Sequence, residues 1–337
     1  MGTKKYCIAT IGSHTALQIL KGAKDEGFKT LVVCKKENSE LYRMFNVADE
    51  FLFISDYKEF PKIEEALIKK NAIIIPHASF IAYMGQEAVE KLKVPYFGNK
   101  KILKYESDRV LERVWLKNAK IKQPKIFKNP ADIDRSVIVK FHGAKGGKGY
   151  FIAKNEEDFN AKIGHHKKDK YIIQEYILGV HVYAHYFYSS LTGELELFGF
   201  DKRYESNVDS IGRISARDQM ALAEVDPSYT IIGNIPIVIR ESLLPEFIEM
   251  GKRVIEESKK IAYPGLFGPF CLETVVTPEQ EIYVFEISAR IVAGTNPYID
   301  GSPYTALKYK VPMSTGRRIA LEIKDAIRQN KLNKVLG

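Results

Sequence analysis

The segment Val137-Ile138-Val139-Lys140-Phe141-His142-Gly143-Ala144-Lys145-Gly146-Gly147-Lys148-Gly149-Tyr150-Phe151-Ile152 sets two apolar, β-prone runs around a turn holding four glycines and two lysines. It reads as a hairpin whose first strand delivers Lys140 to the base of the turn. Glycines let backbone N–H groups approach phosphate oxygens and permit positive φ, and lysines add mobile point charges. A loop folding over a polyphosphate is one reading and a solvated basic turn is the other; the segment alone does not choose. No Gly-Lys-Ser/Thr follows four residues after a glycine, so this is not a Walker loop.

Two further β-rich runs, Gly268 to Thr277 and Ile282 to Arg290, flank Pro278-Glu279-Gln280-Glu281, which has turn composition. If that turn closes a hairpin with Thr277 opposite Ile282, Glu273 stands opposite Glu286. Opposed residues on an antiparallel pair have Cβ atoms ~5 Å apart on one face, where like charges repel. Apolar neighbours raise the cost, so either one carboxyl holds a proton or a cation sits between them. Two carboxylates completed by nucleotide phosphates are a usual environment for Mg²⁺.

At 337 residues the chain exceeds one ordinary core and fits two or three subdomains. Strands alternate with helices over the first hundred residues: Tyr6 to Ile11, a helix from Ala16 to Glu26, then Thr30 to Cys34, Phe51 to Ile54, Ala72 to Ile75 and Pro95 to Gly98. That alternation implies a parallel wound sheet. Gly12 to Thr15 fall at its first strand-to-helix turn, where wound sheets bind ligands. His14 is read there as functional, Ser13 equally well as a helix cap, and Ser79 reaches the same edge. Asn99 to Ala119 reads as one charged helix with Arg109 and Arg113 on one face, solvated on the residues alone. Long strands follow from Val182 to Tyr188 and from Glu194 to Phe200. Asp201 to Arg217 is too polar for core, and its Arg and acid residues beside Tyr204 suit a site. Asn234 lies in Gly-Asn-Ile-Pro, a turn composition. Helices are expected from Leu243 to Ile261 and from Leu321 to Asn330.

The net charge of +9 is dispersed, with no nucleic-acid-binding motif, and suits an enzyme that gathers phosphorylated substrates. No apolar run approaches the ~20 residues of a membrane span. Nothing at the N-terminus resembles a signal peptide. Cys7, Cys34 and Cys271 sit in apolar runs without metal-ligand spacing. A cytoplasmic location is expected.

Taken together, these residues resemble the ATP-grasp superfamily. The resemblance implies a mixed α/β and α+β fold: an N-terminal wound domain over residues 1–98, a connecting helix and small lid over 99–181, and a C-terminal catalytic domain over 182–337. It implies that Lys140, Gly143, Lys145, Gly146, Gly147 and Lys148 hold the ATP phosphates, and that the hinge Gln174-Glu175-Tyr176-Ile177 reads adenine. Glu205 would hold ATP, one of Arg109 and Arg113 would touch it, Glu273 and Glu286 would bind Mg²⁺, and Arg290, with Lys140, would act on the transferred phosphoryl group. The sequence departs from the superfamily pattern at Ser288, where Asn is common, and at His181, where a ribose-binding Glu is common.

A narrower resemblance spans nearly the whole chain. Ile11-Gly12-Ser13-His14-Thr15, Pro76-His77-Ala78-Ser79-Phe80-Ile81-Ala82, Val94-Pro95-Tyr96-Phe97-Gly98-Asn99, Asp201-Lys202-Arg203-Tyr204-Glu205-Ser206-Asn207, Gly233-Asn234-Ile235-Pro236 and Phe285-Glu286-Ile287-Ser288-Ala289-Arg290 occur in this order. They resemble the archaeal formate-dependent formaminoimidazole carboxamide ribonucleotide (FAICAR) synthetases. That family implies phosphorylation of formate by ATP and attack on formyl phosphate by the 5-amino group of aminoimidazole carboxamide ribonucleotide (AICAR), with His14, Ser79 and Asn234 positioning the ribonucleotide. It also suggests a homo-oligomer. An ATP-grasp ligase for another carboxylate and amine is the nearest alternative; a non-catalytic nucleotide sensor and a nucleic-acid-binding module are more distant ones.

Overall fold

The computed structural model describes residues 5–141, 150–164, 166, 169–205, 210–221 and 230–337. Strands β1 (Cys7–Ile11), β2 (Lys29–Cys34), β3 (Glu50–Phe53) and β4 (Ala72–Ile74) form a parallel sheet in the order β3-β2-β1-β4. Its central strands are apolar and buried on both faces, as helix-covered parallel strands must be. The expected strand at Pro95 to Gly98 is reduced to a parallel bridge between Ile74 and Tyr96, and Phe97 pairs antiparallel with Leu336.

The hairpin expected around the glycine turn is present. β6 (Val137–Phe141) and β7 (Tyr150–Ala153) pair antiparallel with Lys140 opposite Tyr150. With β5 (Ile126–Phe127) and β8 (Tyr171–Glu175) they form a small sheet in the order β5-β8-β6-β7. The turn itself, with Gly143, Lys145, Gly146, Gly147 and Lys148, lies outside the described residues.

β9 (Val180–Tyr188), β10 (Leu195–Glu205), β11 (Ile231–Ile237), β12 (Gly268–Val276) and β13 (Ile282–Ser288) form an antiparallel sheet in the order β11-β10-β9-β12-β13. One face is apolar: Val182, Ala184, Tyr186, Phe200, Phe270, Leu272, Val284 and Ile287 pack with Phe247, Met250 and Val254 of the amphipathic helix Leu244–Ile261. Period-2 alternation turns the intervening residues to the other face.

Three sequence expectations are corrected. The helix over Asn99 to Ala119 is two helices, Lys100–Ser107 and Arg109–Asn118, because Asp108 leaves helical geometry and its carboxylate accepts from Val110 and Leu111 N–H. Asn234 lies in edge strand β11, not a turn; an edge tolerates Pro236 because its missing N–H breaks no inner ladder. The last helix runs from Thr315 to Arg328, starting well before Leu321. Its first turn carries Gly316, where a Cβ would lie 2.3 Å from the Gln18 carbonyl oxygen; a Cβ on Gly22 would lie 2.2 Å from the Arg317 nitrogen. The two glycines let this helix cross Ala16–Asp25 in backbone contact, locking the last helix onto the first.

Candidate active site

Alternation in the five-stranded sheet decides what faces the cleft. On β9 and β12, Tyr183, His185, Cys271 and Glu273 stand opposite one another, away from the apolar core. Asp201 pairs with Tyr183 on β10, and Arg203 pairs with Asn234 of β11.

Glu273 pairs with Glu286, as the sequence suggests, but by a different route. The turn is one residue longer, so Val276 and not Thr277 stands opposite Ile282, and the register then shifts between Thr274–Val284 and Glu273–Glu286. Phe285 is the extra residue of this bulge. A regular strand through the same residues would give Glu286 the parity of Ile282 and Val284 and point it into the core.

A cation stands at one carboxylate of the like-charge pair, and the other is pushed toward its protonated form. The Arg203 guanidinium bonds Glu273 at 2.5 Å and lies 4.0 Å from the Tyr183 ring centre. Glu286 is pushed up to about 7, first by the Glu273 charge and then by desolvation on the cleft floor. Glu112, 4% exposed, accepts from the Ile287 N–H and has its carboxyl pushed well above the usual range by burial and by Glu286.

Lys140 of the small sheet faces this group. Burial lowers its pKa against the pull of Glu286, and its Nζ lies 5.4 Å from the Phe285 ring. Arg109 and Arg113 line the same cleft with Glu112, Lys140 and Glu286, so their expected solvated face is instead a cleft wall. Next to it, Gln174, Glu175, Tyr176 and Ile177 line a cavity of about 70 Å³ with Lys140 and His181. The Glu175 carboxylate is committed to Arg135 (2.9 Å) and to the Lys125 N–H (3.0 Å).

Arg290 pairs with Glu106 at 2.9 Å and not with Glu286; the other Glu106 oxygen accepts from the Ala289 N–H. Arg290 Nε and Arg109 Nη1 are buried and find no hydrogen-bond partner among the described residues. An anion in the cleft would satisfy such donors.

The carboxyl edge of the parallel sheet meets the chain just after β13. His77 bridges to Ile291, just beyond Arg290. His77 Nδ1 accepts from the Ser79 N–H (3.3 Å), so the proton is assigned to Nε2, which donates to the Ile11 carbonyl (3.0 Å). His14, at φ +56°, stacks on His77 with centroids 5.4 Å apart. Desolvation by the surrounding protein pushes His14 down to about 3 although its ring reaches solvent, with His77, Arg290 and Arg203 adding to the effect; full burial pushes His77 down to about 4. Both rings are neutral at neutral pH. Ser79 Oγ donates to Ser13 Oγ at 3.0 Å.

Asn234 Nδ2 donates to Asp201 Oδ2 at 2.7 Å, and His185 Nε2 bonds Asp201 Oδ1 at 2.8 Å. Burial raises the Tyr183 phenol, and Glu205, at the end of β10, adds to that effect. Ser288, on the same side of the bulge as Glu286, is buried opposite Cys271. The candidate site residues Glu106, Glu112 and His185 were not singled out in sequence, and His77, Asp201 and Arg203 appeared there only within longer motifs. Arg203 and Asp201 lay in a stretch already too polar for core, whereas Glu106 and Glu112 carried no signal beyond the charge of their helix.

No group of three or more His, Cys, Asp or Glu among the described residues could hold a metal. Two carboxylates are nonetheless what Mg²⁺ takes when phosphates and water complete its shell.

The family models that match are described as "Protein of unknown function (DUF1246)" over residues 8–127 and "Domain of unknown function (DUF1297)" over residues 152–337. The chain is 58% identical to the 5-formaminoimidazole-4-carboxamide-1-(beta)-D-ribofuranosyl 5'-monophosphate synthetase of Pyrococcus abyssi, across 98% of each chain. The synthetase of Methanocaldococcus jannaschii is 47% identical, across 98% of this chain and 94% of its own. A crystal structure of an IMP biosynthesis protein PurP from Thermococcus kodakaraensis superposes with TM-score 0.78 at 31% identity, covering 98% of this chain and 100% of that one. An ADP complex of N5-carboxyaminoimidazole ribonucleotide synthetase, at 17% identity and TM-score 0.71, covers 96% of this chain and 78% of its own and shares the fold. No described helix is long and apolar enough to cross a membrane. The chain has the ATP-grasp fold and belongs to the family of 5-formaminoimidazole-4-carboxamide ribonucleotide synthetases.

Proposed function

We propose that this chain uses ATP to join formate to the 5-amino group of AICAR, giving FAICAR, ADP and phosphate, a step of purine biosynthesis in the cytoplasm. The observation that carries this reading is Lys140 of the small sheet facing the Glu273–Glu286 pair, with the charges of Arg290 and Arg203 reaching the His14–His77 stack of the parallel sheet. Family membership supplies the substrates.

In the first step a formate oxygen takes the γ-phosphoryl group and ADP leaves. In the second the amine nitrogen attacks the formyl carbon, the carbon–oxygen bond to phosphate breaks, and the nitrogen gives up a proton. Lys140 and Arg290 place positive charge where the phosphoryl oxygens gather it. Gly143, Lys145, Gly146, Gly147 and Lys148 are assigned to the phosphates by family resemblance, and Gln174 to Ile177 receive the adenine. Glu205 contacts ATP. Neutral His14, with Ser79 and Asn234, orients the ribonucleotide without repelling cationic neighbours. Closure of the small sheet over the cleft keeps water from the acyl phosphate. Glu273 and Glu286 would hold Mg²⁺, which when bound neutralises phosphate charge. The raised Glu286 carboxyl and the unpartnered Arg290 and Arg109 donors suit a cleft built for a cation with a polyanion.

The test is mass spectrometry of the purified protein with ATP, carbon-13 formate and AICAR. The reading expects a ribonucleotide product carrying the labelled formyl group, formed in step with ADP. ADP formation only with another carboxylate would identify a ligase of different substrate.

A further inference from the structure

Asp201 is buried beneath the cleft at 1% exposure, and His185 beside it at 2%. Its two carboxylate oxygens are divided: Oδ1 faces His185 Nε2 at 2.8 Å and Oδ2 takes the Asn234 amide nitrogen at 2.7 Å. Gly294 seals the pair, since a Cβ there would lie 2.2 Å from Asp201 Oδ1 and 2.7 Å from His185 Cε1. This is close packing over a carboxylate that nothing in the phosphoryl chemistry uses.

An ionised carboxylate only accepts hydrogen bonds, so the Asn234 edge turned to it is the NH₂ edge, whichever way the amide is drawn. The carbonyl Oδ1 of Asn234 is then the edge left for the cleft, where Asn234 is partly exposed on the same face as Arg203. A free amide could present either edge to a ligand; this one is fixed as an acceptor.

We propose that Asp201, held by His185 and roofed by Gly294, is a positioning residue that locks the Asn234 carboxamide as a hydrogen-bond acceptor for an N–H of the amine substrate. The inference rests on the ribonucleotide reading above. It assigns selection of a substrate bearing N–H groups to a buried pair that itself touches no ligand. An isosteric ligand with an acceptor in that place would meet the Asn234 oxygen and be rejected, because a buried polar group facing a like group costs more than a lost contact.

The test is an exchange of the two side chains. In Asp201→Asn, His185 Nε2–H keeps an oxygen to donate to, so the introduced amide turns its NH₂ toward Asn234 and flips it, presenting a donor to the cleft. In Asn234→Asp, two carboxylates face each other. In the double variant, the amide introduced on β10 donates to the carboxylate introduced on β11, and an acceptor again faces the cleft. The expected result is a KM for AICAR raised about 10-fold or more in each single variant, with the KM for ATP within about twofold of wild type, and recovery of most of that loss in the double variant. An unchanged AICAR KM in Asp201→Asn, or a double variant no better than the worse single one, overturns the lock. Equal changes in both KM values with a matching fall in melting temperature also overturn it, as the mark of a structural role. A wild-type protein that does not turn over AICAR rejects the ribonucleotide reading instead, and that control is run first.

Discussion

The parallel sheet and the five-stranded antiparallel sheet bring chemistry to the same cleft in opposite ways. β1, β2 and β4 are buried on both faces, so they offer function only where the chain leaves the strand, at Ser13, His14, His77 and Ser79. The antiparallel sheet covers one face with the helix Leu244–Ile261 and leaves the other to Tyr183, His185, Asp201, Arg203, Glu273 and Glu286. The first arrangement yields neutral histidines set by loop geometry. The second yields a charged surface set by register, where a slip of one residue exchanges core for cleft.

That dependence on register can be tested directly. Glu286→Gln keeps the register and should cut turnover by about 100-fold or more at ordinary magnesium, without loss of stability. Deleting Phe285 removes the bulge but leaves Glu286 directly after Val284, opposite Glu273 and on the cleft face, so turnover should fall much less than in Glu286→Gln. Turnover of the two variants side by side checks this; a deletion as inactive as Glu286→Gln, with the fold intact by denaturant titration, would show that the pairing register does not set this site.

Lys140→Ala removes the cation that the small sheet contributes. The expected loss is about 100- to 1000-fold in kcat/KM for ATP with the fold intact, because the side chain lines the cleft and fills no core. Unchanged ATP kinetics would remove Lys140 from the phosphate site.

His14→Ala probes the edge of the parallel sheet. It should raise the KM for the ribonucleotide by about 10-fold, the worth of one or two hydrogen bonds, and move the KM for ATP much less. Because desolvation holds the ring down to about 3, the ribonucleotide KM should show no His14 titration between pH 6 and pH 8. Equal effects on both substrates would make His14 structural.

Most of the fold was legible because its strands and helices follow apolar period, and the Glu273–Glu286 pairing could be read from the hairpin. The bulge that delivers the pairing could not, since nothing in Tyr-Val-Phe-Glu distinguishes a regular strand from one with an extra residue. Two compensating differences, a longer turn and a bulge, returned the same pair. Asp108 was a readable signal, a capping residue inside a supposed helix. Gly316 and Arg318 hid the start of the last helix, because one exists for a helix crossing and the other for a buried ion pair with Glu196 and Glu322. Glu106 and Glu112 became site residues only through contacts with Arg290, Ala289 and Ile287, more than 170 residues away.

Glu286 shares the cleft face with Glu273 and, without metal, its carboxyl is pushed up to about 7. Its folded pKa is raised above the ordinary 4.5, so the metal-free protein is favoured at low pH and loses that share of stability as pH rises from about 4.5 to about 7. Arg203 and solvent in the cleft limit the size, and the shift should be on the order of 1–3 °C. The direct measurement is the melting temperature of metal-free wild type and Glu286→Gln at pH 5 and pH 8. Equal melting at pH 5 and a higher value for the variant at pH 8 are expected. A variant that melts lower than wild type at pH 8 would contradict this, because Glu286 would then be a stabilising ion-pair anchor and not one half of a repelling pair.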